Sequence, residues 1–273
     1  MLTAASVVAT GFDLTGSLEY GLTLAGGLLA ILFAHEMGHY LACRRYGVDA
    51  TLPYFIPLPY VSLIGTLGAF IRIRAPIPNR RALFDIGIAG PIAGFVAALP
   101  VLYLGVNEAR IAPTEPAESA LSFGEPLLLQ WTVRALKGPL PEGATVWIGA
   151  LGLAAWFGLF VTALNLLPIG QLDGGHVTYA LLRRRAAPIS RAAAWVCLLL
   201  TYFGPNWLVW SLILRILGRE HPPTERDDEH PGRARVVVGA IGLAIFAVCF
   251  VPDPFQWSWT EFFGAWRATL GLG

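Results

Sequence analysis

The chain has 273 residues, of which 55% are apolar and 14% charged, with a net charge of +1; its mean hydropathy is +0.60. Soluble globular domains carry about 45–50% apolar and about 25% charged residues, so this composition, with its long apolar runs, points to a membrane protein. The charge balance argues against a nucleic-acid partner, no GxxxxGK loop supports ATP-driven chemistry, and the scattered Cys43, Cys197 and Cys249 read as buried, inert thiols.

No basic stretch followed by a cleavage motif opens the chain, so no removable signal peptide is expected. The first apolar run covers residues 20–43, ends at Arg44 and Arg45, and contains His35, Glu36 and His39. Residues 52–59, LPYFIPLP, are broken by proline and read as an interfacial loop. Over residues 65–74, Ile71 and Ile73 alternate with Arg72 and Arg74, the period of a strand with one apolar face. Further apolar runs cover residues 84–106 and 146–167. A fourth region, 191–217, is broken at Gly204, Pro205 and Asn206, and fits either one kinked helix or a re-entrant hairpin. The last run covers residues 236–251. Each unbroken run is near the length that crosses a bilayer as a helix.

The fold expected is an all-α polytopic membrane protein of about five or six transmembrane helices, with a small membrane-associated β-hairpin on the cytosolic side. It forms one membrane-embedded domain over residues 1–273, with a core over 20–185 and C-terminal helices over 190–273. Arg44, Arg45, Arg72, Arg74, Arg80 and Arg81 put the segment between the first two helices in the cytosol, and Arg183, Arg184 and Arg185 act as a second cytosolic anchor. The acidic segment 107–145 and the N-terminus face outward. Asp85 reads as a helix start, Gly87, Gly90 and Gly94 as small residues for close helix packing, and Trp257, Trp259 and Trp266 as an interfacial aromatic belt.

Residues 35–39 spell HEMGH. Two histidines at i and i+4 share one helical face and can chelate one zinc ion, while the intervening Glu36 can take a proton from a water the metal activates. A lone carboxylate in an apolar membrane helix costs several kcal/mol, which marks Glu36 as functional. Zinc needs a third protein ligand. The second polar cluster, NLLPIGQLDGGH at 165–176, offers Asp173 from an irregular, glycine-rich backbone of the kind that membrane proteins tolerate only where it is buried or lines a cavity. Two neutral imidazoles, one carboxylate and Glu36 bring a divalent ion close to neutrality, which lowers the cost of burial. Three protein ligands leave a fourth position for water, the mark of a catalytic site. At about 1.5 Å per residue, His39 and His35 lie roughly 7–14 Å inside the Arg44 boundary, so the site belongs near the cytosolic side.

On HEMGH at 35–39, FDIGIAGPIAG at 84–94 and NLLPIGQLDGGH at 165–176, the chain resembles the site-2 protease family of intramembrane zinc metalloproteases. LPYFIPLP and GTLGAFIRI resemble bacterial and plastid-type members; the likeness is good over about residues 20–185 and weaker beyond, including GREHPP at 218–223. The resemblance implies one catalytic zinc on His35, His39 and Asp173, with Glu36 activating water. It implies that Asn165 positions substrate or stabilises the developing oxyanion, and it puts His176 beside the substrate in a role that varies across the family. Substrates would be single-span membrane proteins cut within the bilayer, and the location a bacterial inner membrane. The chain has no room for the inserted PDZ-type domain or the C-terminal nucleotide-sensing pair of other members, so gating is expected to use the membrane core, short loops or a partner.

From the residues themselves, the strand around Ile71 is expected to bind an unwound substrate by strand addition. The competing readings are a membrane zinc transporter or metal-binding protein, and a non-catalytic helix-binding relative. A transporter has no use for a base beside the metal and would need polar residues along a whole path, which the outer half of the first helix lacks. A non-catalytic relative would have no need of an intact HExxH and LDG.

Overall fold

The computed structural model describes residues 1–59, 62–113, 122–216, 223–228, 230–256 and 259–260. Residues 218–222, Trp257 and Trp266, named above, lie outside the described residues.

A helix absent from the sequence reading comes first: α1, Leu2–Thr15, stops at Gly16 in the left-handed region, and Ser17 then starts α2, Leu18–Arg45. The Ser17 hydroxyl accepts from the Tyr20 amide, Glu19 sits in the first turn of α2 and Arg44 and Arg45 in the last, so both ends of its dipole are matched. Helix α1 folds back along α2 where Gly11 meets Gly21 backbone to backbone. Strands β1, Tyr54–Pro57, and β2, Thr66–Phe70, follow as an antiparallel hairpin. Thr3 Oγ donates to the Phe55 carbonyl at 3.0 Å and Ser6 Oγ to that of Gly65, fastening α1 to the hairpin. The segment read as an interfacial loop is thus half strand. Pro57 can belong to it because it stands at the strand end, where the register shifts between Ile56 and Pro57.

Asn79 caps α3, Arg80–Glu108, by accepting from the Ala82 amide at 2.9 Å. Asp85 is therefore inside the helix rather than its start, and it has a tertiary role. Arg235 holds its two oxygens at 2.8 and 2.6 Å, and Tyr46 joins the pair, tying together the end of α2, the start of α3 and the helix Arg233–Cys249. After α3 come β3, Arg110–Pro113, α4, Leu127–Lys137, and β4, Ala144–Trp147, which pairs antiparallel with β3. The run read as a helix over 146–167 begins as this strand. Thr145 and Val146 favour extended backbone, and the helix proper, α5, covers Ala150–Asn165. Helix α5 is buried almost throughout, against α2 and α3, and its own Trp156 and Phe160 stack on each other one turn apart.

Helix α6, Asp173–Leu182, leads into α7, Ala186–Leu199, and α8, Asn206–Ile216. Helices α7 and α8 pack on each other across the break at 200–205, so the fourth region is a helical hairpin rather than one kinked helix. Helix α9 covers Arg233–Cys249. Among the described residues, α2 and α3 are long and apolar enough to cross a membrane, and α1 and α5 are apolar but shorter. Among the described residues the protein is mainly helical, with two small sheets. Trp259, assigned above to an interfacial belt, donates its Nε1 to the Thr201 carbonyl at 3.1 Å.

Two contacts anchor α6. The buried Arg80 donates to the carbonyls of Ala180 at 2.8 Å and Leu181 at 3.1 Å, satisfying groups that a helix end leaves open. Arg183, besides being part of the basic cluster, pairs with Asp227 at 2.6 Å and Asp228 at 3.1 Å. Burial pushes the Asp227 carboxyl up, but bonds from Arg183, Thr224 and Tyr179 outweigh it and hold the group below the ordinary carboxylate range. Arg80→Ala should lower stability by about 1–3 kcal/mol, because it leaves buried carbonyls without donors. Thermal unfolding in detergent checks this, with Arg80→Lys, which can restore one bond, expected in between; an unchanged midpoint would show that α6 does not depend on Arg80.

Candidate metal centre

The HEMGH segment sits in the second half of α2, so His35 and His39 point the same way, one turn apart. Both are less than one-tenth exposed, as is Glu36. Asp173 is the first residue of α6 and is not its N-cap, a position held by Leu172 with no side-chain cap. Its carboxylate faces α2 instead: Oδ2 lies 3.2 Å from His35 Nε2 and 3.3 Å from His39 Nε2. The two Nε2 atoms are 3.2 Å apart. The loop between α5 and α6 makes this possible. Asn165 ends α5, the chain turns through Gly170 in the left-handed region, and a side chain at Gly174 would strike the Leu166 carbonyl.

These distances test whether a metal fits. A tetrahedral zinc site with bonds of about 2.0–2.1 Å has donor–donor edges of about 3.3–3.4 Å. The three observed edges, 3.2, 3.2 and 3.3 Å, match that figure closely. The protonation state fits as well. His39 Nδ1 lies 2.7 Å from the Ile86 carbonyl oxygen, which can only accept, so the proton is on Nδ1 and the Nε2 lone pair is left for a cation. His35, His39 and Asp173 could therefore hold one metal ion.

Helix α3 supplies the floor. Ile86 gives its carbonyl to His39, and the glycines one and two turns further on make room for the rings. A Cβ at Gly90 would run into the His39 imidazole, and one at Gly94 would come within 3.1 Å of His35 Nδ1. The sequence spacing 87, 90, 94 marked a small-residue face; what it left unread is that this face serves the histidines as well as helix packing. The Ile86 carbonyl carried no signal in the sequence at all.

The other expected residues are distributed around this cluster. Asn165 lies at its edge, with Nδ2 3.3 Å from His35 Nε2. His176 stands one turn beyond Asp173 on α6, its Cβ over Gly87, and is not one of the three converging donors. Ile71 falls one residue past the end of β2, and its backbone lies beside the Glu36 carboxylate. The expected strand 65–74 is thus shorter, and its exit passes beside the HExxH glutamate.

The sequence matches peptidase family M50 over residues 23–203, a span that contains all of these residues. The chain belongs to that family. It is 32% identical over 244 residues to the probable zinc metalloprotease EGY1, chloroplastic, of Arabidopsis thaliana, a match covering 86% of this chain and 43% of that protein. It is 30% identical over 250 residues to the probable zinc metalloprotease EGY2, chloroplastic, of Oryza sativa subsp. indica, covering 89% and 45%. The Arabidopsis EGY2 protein is 28% identical over 259 residues, covering 94% and 46%. The chain spans less than half the length of these relatives.

Gly90→Ala should strip most of the metal from the folded chain, because the added methyl takes the space of the His39 ring. Metal analysis of the purified variant, beside its helical circular dichroism, checks this. A folded variant with full metal content would show that α2 and α3 can separate without loss of the site.

Proposed function

We propose that this chain is an intramembrane zinc metalloprotease that hydrolyses a peptide bond within or near a transmembrane helix of a single-span membrane protein. The observation that carries the reading is a tetrahedral donor triangle of His35, His39 and Asp173 with the Glu36 carboxylate on the same helix. Family membership and zinc metalloprotease relatives support it. His35, His39 and Asp173 would hold the zinc, which when bound supplies a Lewis acid for water and for the scissile carbonyl. Glu36 accepts the proton of the attacking water and passes it to the leaving nitrogen. Asn165, beside the donors, positions the scissile carbonyl and stabilises the developing oxyanion. His176, a turn beyond Asp173, lines the substrate's path.

A helix shields its own peptide bonds, so substrate must unwind, and its freed backbone groups need partners in lipid. Among the described residues β2 pairs only with β1, which leaves one edge for an added strand. This role falls to β2, Thr66–Phe70, with Ile71 just past its end beside the base.

We read the chain as a single polytopic domain with five or six spans, α2 and α3 crossing fully and the shorter apolar helices packed around them. The arginines at the end of α2 and start of α3 support a site near the cytosolic or stromal face. The chloroplastic relatives add a plastid membrane to the bacterial inner membrane expected from sequence. A zinc transporter would share the donors but has no use for Glu36.

Co-expression with tagged single-span proteins tests the reading. Glu36→Gln should keep one zinc per chain and lose at least about a hundredfold in cleavage, since Gln cannot accept the proton. Asp173→Ala should lose most of the metal. Cleavage by Glu36→Gln at the parent rate would remove the assigned base, and unaltered zinc in Asp173→Ala would remove the third ligand.

A further inference from the structure

The α7–α8 hairpin takes no part in the metal site, and the two packed helices leave a groove along their contact. Arg191, Ala194, Trp195 and Leu198 recur at the spacing of one face of α7, and Leu208, Ser211 and Leu212 do the same on α8. Together they line a groove of about 120 Å³, open on one side. Trp195, Leu208 and Leu212 are largely exposed along it. The Ser211 hydroxyl is different: the residue is 7% exposed, and its oxygen has no hydrogen-bond partner among the described residues. An unpaired hydroxyl in apolar surroundings is unfavourable, so its survival here calls for an outside partner.

The order of chemistry along the groove is informative. The helices are antiparallel across the turn at 200–205, so Leu198 and Leu208 sit near the turn, and Ala194, Trp195, Ser211 and Leu212 lie further out. Arg191 lies furthest out, about 10 Å from Leu198 at 1.5 Å per residue. From the open end inward the groove therefore offers a cation, then a hydroxyl, then only hydrocarbon. A glycerophospholipid carries the matching sequence: phosphate, ester carbonyl, acyl chain. We propose that this groove binds one anionic phospholipid, with its phosphate at Arg191, an ester carbonyl accepting from Ser211 and an acyl chain between Leu198, Leu208 and Trp195. The proposal rests on the membrane placement above and not on the protease chemistry. Basic residues at a membrane boundary attract anionic headgroups, and here the attraction is joined to a shaped apolar slot.

Native mass spectrometry of the full chain in neutral detergent, titrated with phosphatidylglycerol or phosphatidylcholine, tests it. One phosphatidylglycerol should be retained per chain at about fivefold lower concentration than phosphatidylcholine. Arg191→Gln should abolish that preference, and Ser211→Leu, which fills the groove, should abolish retention of both lipids, with zinc content unchanged in either variant. Equal binding of the two lipids, insensitive to both variants, overturns the proposal. If Ser211→Leu instead leaves lipid binding alone but slows cleavage of a single-span substrate in phosphatidylcholine nanodiscs, the groove holds a substrate helix and the lipid assignment is wrong. A detergent-solubilised, zinc-loaded chain without retained lipid removes only this inference, whereas a chain soluble and monomeric without detergent removes the membrane reading beneath it.

Discussion

One close approach governs the arrangement: the His39 imidazole lies over Gly90 so tightly that a single methyl group there would displace it. The ring cannot reach Asp173 unless α2 and α3 touch at backbone distance, which Gly38 against the Ala89 carbonyl also requires. That contact brings the Ile86 carbonyl to His39 Nδ1 and so sets the tautomer that leaves Nε2 for a cation. The remaining features defend this crossing. Asp85 and Arg235 lock the ends of three helices, and Arg80 holds α6 by its last carbonyls while Asp173 reaches in from its first turn.

Electrostatics sets a second condition. A divalent ion among apolar helices is tolerable only when its charge is nearly cancelled nearby. Asp173 and Glu36 provide two carboxylates against the ion, and both neighbouring imidazoles can stay neutral. The same arithmetic explains why His35, Glu36 and His39 lie together in the apolar part of α2: each adds a group that another can neutralise or ligate. Ile71, just past β2, lies beside Glu36, so the element proposed to take substrate adjoins the proposed base.

Much of this site was legible in the sequence because its chemistry is local. HEMGH needs only helical periodicity to place two donors, and LDGG after Pro168 announces a tight turn that delivers a carboxylate. The glycines of α3 were visible as a small face, although their service to the histidines needed the helix crossing. What stayed hidden depends on partners far along the chain. Arg235 meets Asp85 across 150 positions, with no local pattern to signal it. Helix α1 mixes Thr3, Ser6 and Thr10 into an apolar segment too short to stand out, and its meaning is the hairpin it fastens. Strand β4 was absorbed into the third apolar run because four residues of extended chain look the same as helix when both are apolar; only pairing with β3 separates them.

The central claim is that two imidazoles and one carboxylate of this chain hold zinc in an open tetrahedral site. Zinc-edge X-ray absorption on the purified, folded chain tests it most directly. The account predicts a first shell of nitrogen and oxygen only, at about 2.0–2.1 Å, with the outer-shell signature of two imidazoles. A sulfur scatterer near about 2.3 Å would move the ion to the cysteines, and a folded chain that takes up no zinc would contradict the account at its root.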